Sequence, residues 1–309
     1  MLKVVKPGIF STIQDSGRTG YQAYGIIKSG VMDTVAYRIG NALLQQTNKP
    51  AIEMTLVGGE YQFTKPTTIA LTGGEMRTKL NGKVVPMNQA IPIQANDILK
   101  CGPIMNGTRS YLCITGGFLI EPILNSTSTY LKSGFGGFNG RALQAGDEIP
   151  YEATTQQFPK TQVYTHSFYE SRPIRILPGT EWAQFSAHMQ QQFLQQSYTI
   201  SLEADRMGYR LEGGVRLEKN DPAQLLSEAV TFGTIQVPAS GQPIILMADH
   251  QTTGGYPKIA QVIAADLPRL AQLAPKQAVT FEIVTLQEAE HAYIKLEQQL
   301  RLLETLLTH

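Results

Sequence analysis

Residues 59–74, GEYQFTKPTTIALTGG, and residues 233–249, GTIQVPASGQPIILMAD, are the two stretches that govern how the chain is read. Each opens on glycine, crosses a proline-bearing spacer and continues into a short apolar run. A glutamate and a few apolar residues precede each one, and AYRIG (36–40) and GYRLEG (208–213) precede those in turn. The order suggests two related halves. The match is loose, and coincidence is the alternative.

Working outward, most of the chain punctuates like β structure. TTIALTGG, SYLCITGG and RPIRILPG each end a strand-like run on glycine, and Asn81-Gly82 is a hairpin signal because both residues tolerate the positive φ of a tight turn. Three segments carry helical spacing instead. DTVAYRIGNALL places Val35, Ile39, Ala42 and Leu43 on one face with Asp33 as N-cap. EWAQFSAHMQQQFLQQ does the same with Trp182, Phe185, Met189 and Phe193. From about Gln287 onward, Ala289, Tyr293, Leu296, Leu300, Leu303 and Leu307 form a seam of alternating four- and three-residue steps, which Leu302 and Leu306 widen. The polar stretch YEATTQQFPKTQVYTHSFYESRP has no clean period, so a boundary is expected there. The expected parts are 1–155, 156–286 and an amphipathic helix over 287–309.

Composition narrows the function. Across 309 residues, 42% are hydrophobic and 17% charged, with a net charge of +1. That balance argues against nucleic acid or an anionic membrane as an obligatory partner. The N-terminal stretch lacks the apolar core of a secretory signal, and Cys101 and Cys113 lack metal or redox spacing, so a cytoplasmic protein with reduced thiols is expected. No Walker-type loop, Gly-x-Ser-x-Gly elbow or His-Glu-x-x-His occurs. The five histidines (166, 188, 250, 291, 309) form no ligand cluster in sequence, so no metal is expected.

Three longer strings carry a resemblance: STIQDSGRTGYQAYGIIKSGVMD, RSYLCITGGFLIEPILNSTSTYLKSGFGGFNGRALQAGD, and DRMGYRLEG followed by SEAVTFGTIQVPASGQPIILMADHQTTGGYPKIA. In this order they resemble the allophanate hydrolase subunit 2 (KipA-like) family, also called the biotin-dependent carboxyltransferase family. The resemblance implies a mainly β fold with a few helices, arranged as two tandem cyclophilin-like β-barrel domains. It implies work as the C subunit of an ATP-dependent 5-oxoprolinase, with an AHS1-type (KipI-like) B subunit and a lactam-binding A subunit, ATP acting at the level of the complex. Two alternatives come with it: carboxyl transfer from carboxybiotin to urea or a related amide, with biotin as cofactor, and a non-enzymatic antagonist that binds a KipI-like kinase inhibitor. Assembly with a second copy through the C-terminal helix is left open.

These reactions must make an amide or ureido carbonyl reactive while its oxygen gathers negative charge. Fixed N–H donors, hydroxyls and a cation aimed at that oxygen stabilise the transition state. In DHQTTGGYPKIA, the expected catalytic groups are Asp249, Gln251, Thr252, Thr253 and Lys258, with Gly254, Gly255 and Tyr256 in substrate binding. The bland alternative is a tight turn with Tyr256 packed on the barrel. In QDSGRTG, Gln14, Asp15 and Arg18 are expected to line a site, unless Asp15 and Arg18 only hold the turn. Ser29, Arg141 and Arg206 complete the expected binding set, although Arg206 could instead pair with Glu203 or Asp205. The family more often carries arginine at position 250 and glycine at position 125, where this chain has His250 and Asn125.

Overall fold

The computed structural model describes residues 1–170, 172–219 and 225–308. His309, the fifth histidine and the last position of the expected C-terminal helix, lies outside the described residues. The chain divides into two compact units. The first comprises Met1–Thr19, Ser29–Tyr169 and Gln298–His309; the second comprises Gly20–Lys28 and Glu170–Glu297. The molecule is mainly β, as expected.

Two antiparallel sheets build the first unit. One orders its strands Glu148–Ile149, Leu2–Lys6, Glu60–Phe63, Ile98–Lys100, Thr78–Leu80 and Lys83–Val85. The other orders Phe10–Gln14, Ala51–Thr55, Ile104–Ile114, Thr67–Met76 and Ala90–Ile93. Alternation sets their faces: Leu2 and Val4 point inward while Lys3 and Val5 face water. Leu2, Val4, Ile13, Ile52, Tyr61, Phe63, Leu71, Leu99 and Leu112 share one core. The Asn81-Gly82 turn, with φ of 50° and 81°, joins Thr78–Leu80 to Lys83–Val85. Helix α1 (Thr34–Ala42) starts where the Asp33 carboxylate accepts from the Ala36 amide at 3.0 Å. Its Val35, Ala36, Ile39 and Ala42 are buried.

The polar stretch from Tyr151 to Tyr169 stays with the first unit. Thr154 N–H donates to the Pro66 carbonyl (3.1 Å) and Val163 N–H to that of Asn88 (2.9 Å), while the Thr68 hydroxyl donates to the Gln156 carbonyl. These three bonds hold the segment against the first unit. The units therefore part at Tyr169, fourteen residues later than the expected residue 155.

In the second unit one sheet runs Ala278–Val279, Tyr198–Ile200, Gly208–Glu212, Ile244–Leu246, Thr234–Gln236, Lys258–Val262, Ile174–Pro178 and Phe281–Ile283. Its two outermost strands are separated in the chain by Thr280 alone, so the sheet nearly closes on itself as a barrel. Ile174 and Ile176, Tyr198 and Ile200, and Tyr209 and Leu211 all point inward at every second position. The expected second helix begins late. A 3₁₀ turn covers Trp182–Gln184, Phe185 is extended, and α2 (Ala187–Gln195) starts after Ser186, whose hydroxyl accepts from the Met189 amide at 3.2 Å. Phe193 then stacks on Phe281 with ring centroids 5.0 Å apart. A short helix α3 (Leu267–Ala271) follows the strand Lys258–Val262.

The last helix, α4 (Leu286–Thr308), opens with a reciprocal cap: Thr285 N–H donates to the Glu288 carboxylate at 2.7 Å, and Glu288 N–H donates to the Thr285 hydroxyl at 3.2 Å. Of the seam residues, Ala289, Leu300 and Leu307 are buried, whereas Tyr293 is half exposed. In the first unit, Glu304 pairs both oxygens with the Arg38 guanidinium (2.8 and 3.0 Å), and Gln45 donates to the Leu307 carbonyl. Leu302 and Leu306 face solvent. Among the described residues, no helix is long and apolar enough to cross a membrane, and no group of His, Cys, Asp and Glu is placed to hold a metal ion.

Candidate functional site

The first unit gathers most of its expected site residues around one carboxylate. Asp15 follows the strand Phe10–Gln14 and is 6% exposed. Its Oδ1 accepts from Gly17 N–H (2.8 Å) and from the hydroxyls of Ser126 and Ser128 (both 2.6 Å). Its Oδ2 accepts from the amide (2.6 Å) and hydroxyl (3.0 Å) of Thr127. Burial, the largest single effect, opposes ionisation, but these donors together hold the carboxyl below its ordinary range. Gln14 donates to the Thr12 hydroxyl (3.1 Å) and the Thr129 carbonyl (3.4 Å), and Ser29 donates to that same carbonyl at 3.0 Å. Arg18 is fully buried, donates to the Ser128 carbonyl and lies 4.7 Å from the Phe135 ring centroid.

Three loops thus close on one another: QDSGRTG, STST (126–129) and SGFGGFNG. Gly136 allows the closure. Its φ is +71°, and a β-carbon there would run into the Ser128 carbonyl and the Arg18 guanidinium. Gly136→Ala is expected to cost about 2 kcal/mol or more, read as a lower urea midpoint. Arg141 turns to Asp147 instead, in a two-pronged pair at 2.7 and 2.8 Å that raises the arginine and lowers the aspartate from their ordinary values. Asp33 caps α1, as anticipated, and also accepts from the Tyr169 hydroxyl at 2.8 Å.

In the second unit, residues 251–258 lie at the surface, half-buried or exposed. Thr253–Gly254 pairs with Glu228–Ala229 in a two-stranded ribbon, and the Thr252 carbonyl accepts from Val230 N–H at 3.1 Å. Gly254 sits so close to Gln236 that a β-carbon would reach its side-chain nitrogen at 2.5 Å. Gln236 in turn donates to the Tyr256 carbonyl. Lys258 opens the next strand. Its Nζ contacts Glu228 at 2.5 Å and Glu181 at 3.5 Å, and its own N–H donates to Glu181 at 2.8 Å. Burial works against the ammonium here, but the two carboxylates outweigh it and raise Lys258 above its ordinary value. The lysine is therefore a fixed cation at working pH and no proton acceptor.

Asp249 and Arg206, both about 95% buried, form a fork-to-fork pair with both bonds at 2.9 Å. Arg206 thus meets Asp249, forty-three positions away in sequence, and Glu203 goes to Arg210 at 3.5 Å. His250 Nδ1 lies 2.5 Å from the Gln251 carbonyl, which makes that nitrogen the donor. Burial lowers the imidazole further than the backbone carbonyl and Asp249 raise it, so His250 is neutral at pH 7. Its Nε2 is left as an acceptor.

Sequence reasoning missed Ser126–Thr129, Glu181 and Gln236. Four consecutive hydroxyl residues behind Asn125 were a visible signal for the first. Asn125 itself stands at φ +60°, a conformation that glycine and asparagine adopt most easily. The glutamate and glutamine carried no local mark.

The fold defines a class: a mainly β chain whose second unit is a nearly closed barrel sheet. The model of the carboxyltransferase domain, subdomains A and B, matches residues 24–283, and the chain belongs to that family. It is 42% identical over 280 residues to the 5-oxoprolinase C subunit of Haemophilus influenzae, covering 90% of each chain. It is 38% identical over 290 residues to the 5-oxoprolinase C subunit of Escherichia coli, covering 94% of this chain and 93% of that one. Among solved structures, the urea amidolyase of K. lactis superposes with a TM-score of 0.89 at 26% identity, over 98% of this chain and 20% of the larger enzyme.

Proposed function

We propose that this chain is the C subunit of a 5-oxoprolinase complex, a hydrolase assembled with an AHS1-type (KipI-like) B subunit and a lactam-binding A subunit. The observation that carries this reading is the identity of 42% and 38%, over nine-tenths or more of both chains, to proteins that bear that name. The reaction breaks the ring C–N bond of 5-oxo-L-proline and adds water across it, yielding L-glutamate, with ATP consumed at the level of the complex. An unstrained lactam resists water because its carbonyl is resonance-stabilised. Activation gathers negative charge on oxygen, which a preorganised cation and N–H donors stabilise without reorganising.

The residues of this chain suit that work. Lys258 supplies a held positive charge, and of its two carboxylate partners Glu228 is the exposed one, at 62%, and the one that an anionic group would displace. Thr252, Thr253, Gln251 and the backbone around Gly254, Gly255 and Tyr256 supply donors beside it. Arg206 and Asp249 act from beneath as a support for the loop. In the first unit, Asp15 holds the STST segment against Gln14, Ser29 and Arg18.

A second reading, carboxyl transfer from carboxybiotin to urea or a related amide, is favoured by the likeness to urea amidolyase. The chain spans about a fifth of that enzyme, so carrier and carboxylase would come from other proteins. Mixing the purified subunits with ATP and 5-oxoproline and measuring glutamate separates the two. Glutamate release is expected to require this chain. An unchanged rate without it removes the first reading, and carboxylation of urea by carboxybiotin in its presence establishes the second.

A further inference from the structure

The second unit holds a charge cluster that the proposed reaction does not use. Asp266, fully buried, is contacted by three guanidinium groups. Arg175 donates to it from Nε (3.2 Å), from Nη2 (2.6 Å) and from its backbone N–H (2.8 Å). Arg172 donates from Nη2 at 3.3 Å, and Arg269 lies at 3.5 Å. Among the described residues, three guanidinium groups thus contact this one carboxylate, a local surplus of two positive charges.

Structure accounts for part of this set. Arg269 also donates to the carbonyls of Arg172 and Pro173, tying the start of the strand Ile174–Pro178 to α3. Arg175 is the two-pronged partner of Asp266. Arg172 adds a third cation to a carboxylate already satisfied by the others, and its side chain is 42% exposed. Deeper in, Arg269 is 7% exposed, and its buried Nε has no hydrogen-bond partner among the described residues. Like charges at this spacing repel, and an orphaned donor on a buried cation is costly. Burial, then the neighbouring charges of Arg172 and Arg175, lower the Arg269 guanidinium from its ordinary value despite Asp266.

The geometry points to an anion site on Arg172, Arg175 and Arg269 that takes phosphate, free or as the terminal group of a phosphate ester. Two surplus positive charges match a phosphate dianion better than a carboxylate, and guanidinium forks fit its oxygens. The site is separate from Lys258. The strands Ile174–Pro178 and Lys258–Val262 are antiparallel, Glu181 meets Lys258 at one end, and Ile263 N–H donates to the Arg175 carbonyl at the other. Five residues of strand put the two ends about 16 Å apart. The inference stands whichever reaction the complex performs.

Isothermal titration calorimetry on the full chain tests it, with inorganic phosphate, ATP and acetate as probes and ionic strength held constant with chloride. Saturable phosphate binding is expected, weakened about tenfold or more by Arg172→Gln, as loss of a charge-assisted hydrogen bond requires. ATP binding tighter than phosphate, with the same dependence on Arg172, identifies a nucleotide as the source; equal affinities identify phosphate itself. Arg172→Lys, which keeps the charge but loses the fork, should lie between and serves if the glutamine variant does not fold. No saturable heat with phosphate, acetate binding as well as phosphate, or an affinity untouched by both variants overturns the proposal.

Discussion

Replacing Asp15 with alanine is expected to cost about 3–5 kcal/mol of stability, moving the urea midpoint of the first unit down by roughly 1–2 M. The size follows from what the carboxylate satisfies. Two backbone amides, that of half-buried Gly17 and that of buried Thr127, and three buried hydroxyls, those of Ser126, Thr127 and Ser128, donate to it. The hydroxyls can rotate to other acceptors, but the amides cannot. Each buried amide left without a partner carries a desolvation penalty of about 1–3 kcal/mol. The QDSGRTG and STST loops would then separate, and Arg18, anchored on the Ser128 carbonyl, would lose its place.

The same carboxylate predicts an acid limb. Its folded value lies below the ordinary 3.8, so its contribution is complete above the unfolded value and is lost as pH falls through the folded one. The stability difference between wild type and Asp15→Asn should therefore be constant near neutrality and shrink below about pH 3.8. A difference independent of pH down to full protonation would show that charge is not what Asp15 contributes.

Replacing Lys258 with methionine is expected to lower glutamate release by the assembled complex about 100-fold, with folding and assembly kept. The magnitude is that of removing one preorganised electrostatic partner from a transition state. Folding should survive because Glu181, the more buried of its two carboxylate partners, keeps the hydrogen bond from the Lys258 backbone N–H at 2.8 Å. The remaining partner, Glu228, is solvated. Since both carboxylates raise the lysine above its ordinary value, the wild-type rate should show no basic limb attributable to Lys258 at neutral pH. Wild-type turnover by the methionine variant, or loss of the folded state, would return the QTTGGYPK loop to the role of a turn.

How far the sequence reaches differs from residue to residue. Mainly β structure was legible because alternation and glycine punctuation are local. Leu2 and Val4 or Tyr209 and Leu211 declare their buried face within a few positions of chain. The Asn81-Gly82 turn and the Asp33 cap were legible for the same reason: both depend on bonds spanning no more than a few residues. Family membership was legible from ordered strings of such local signals.

The partners of the charged residues were not. Arg206 with Asp249, Lys258 with Glu181, and Asp15 with Ser126–Ser128 are bonds across 43, 77 and more than 110 positions. Nothing at either end marks its partner. Local spacing offered Asp205 to Arg206, but Asp205 accepts from the amides of Met207 and Gly208 as the turn into the next strand forms. The polar stretch after residue 150 shows the same limit. Its composition resembles a linker, but the loop carbonyls of Pro66 and Asn88 bind it to the first unit. Alone, the chain determined which segments are strands, turns and helices, because short-range sterics and hydrophobic alternation are written residue by residue. Only the tertiary structure decided which charges meet, because that depends on sheet order and loop closure, which bring together groups that the chain itself keeps far apart.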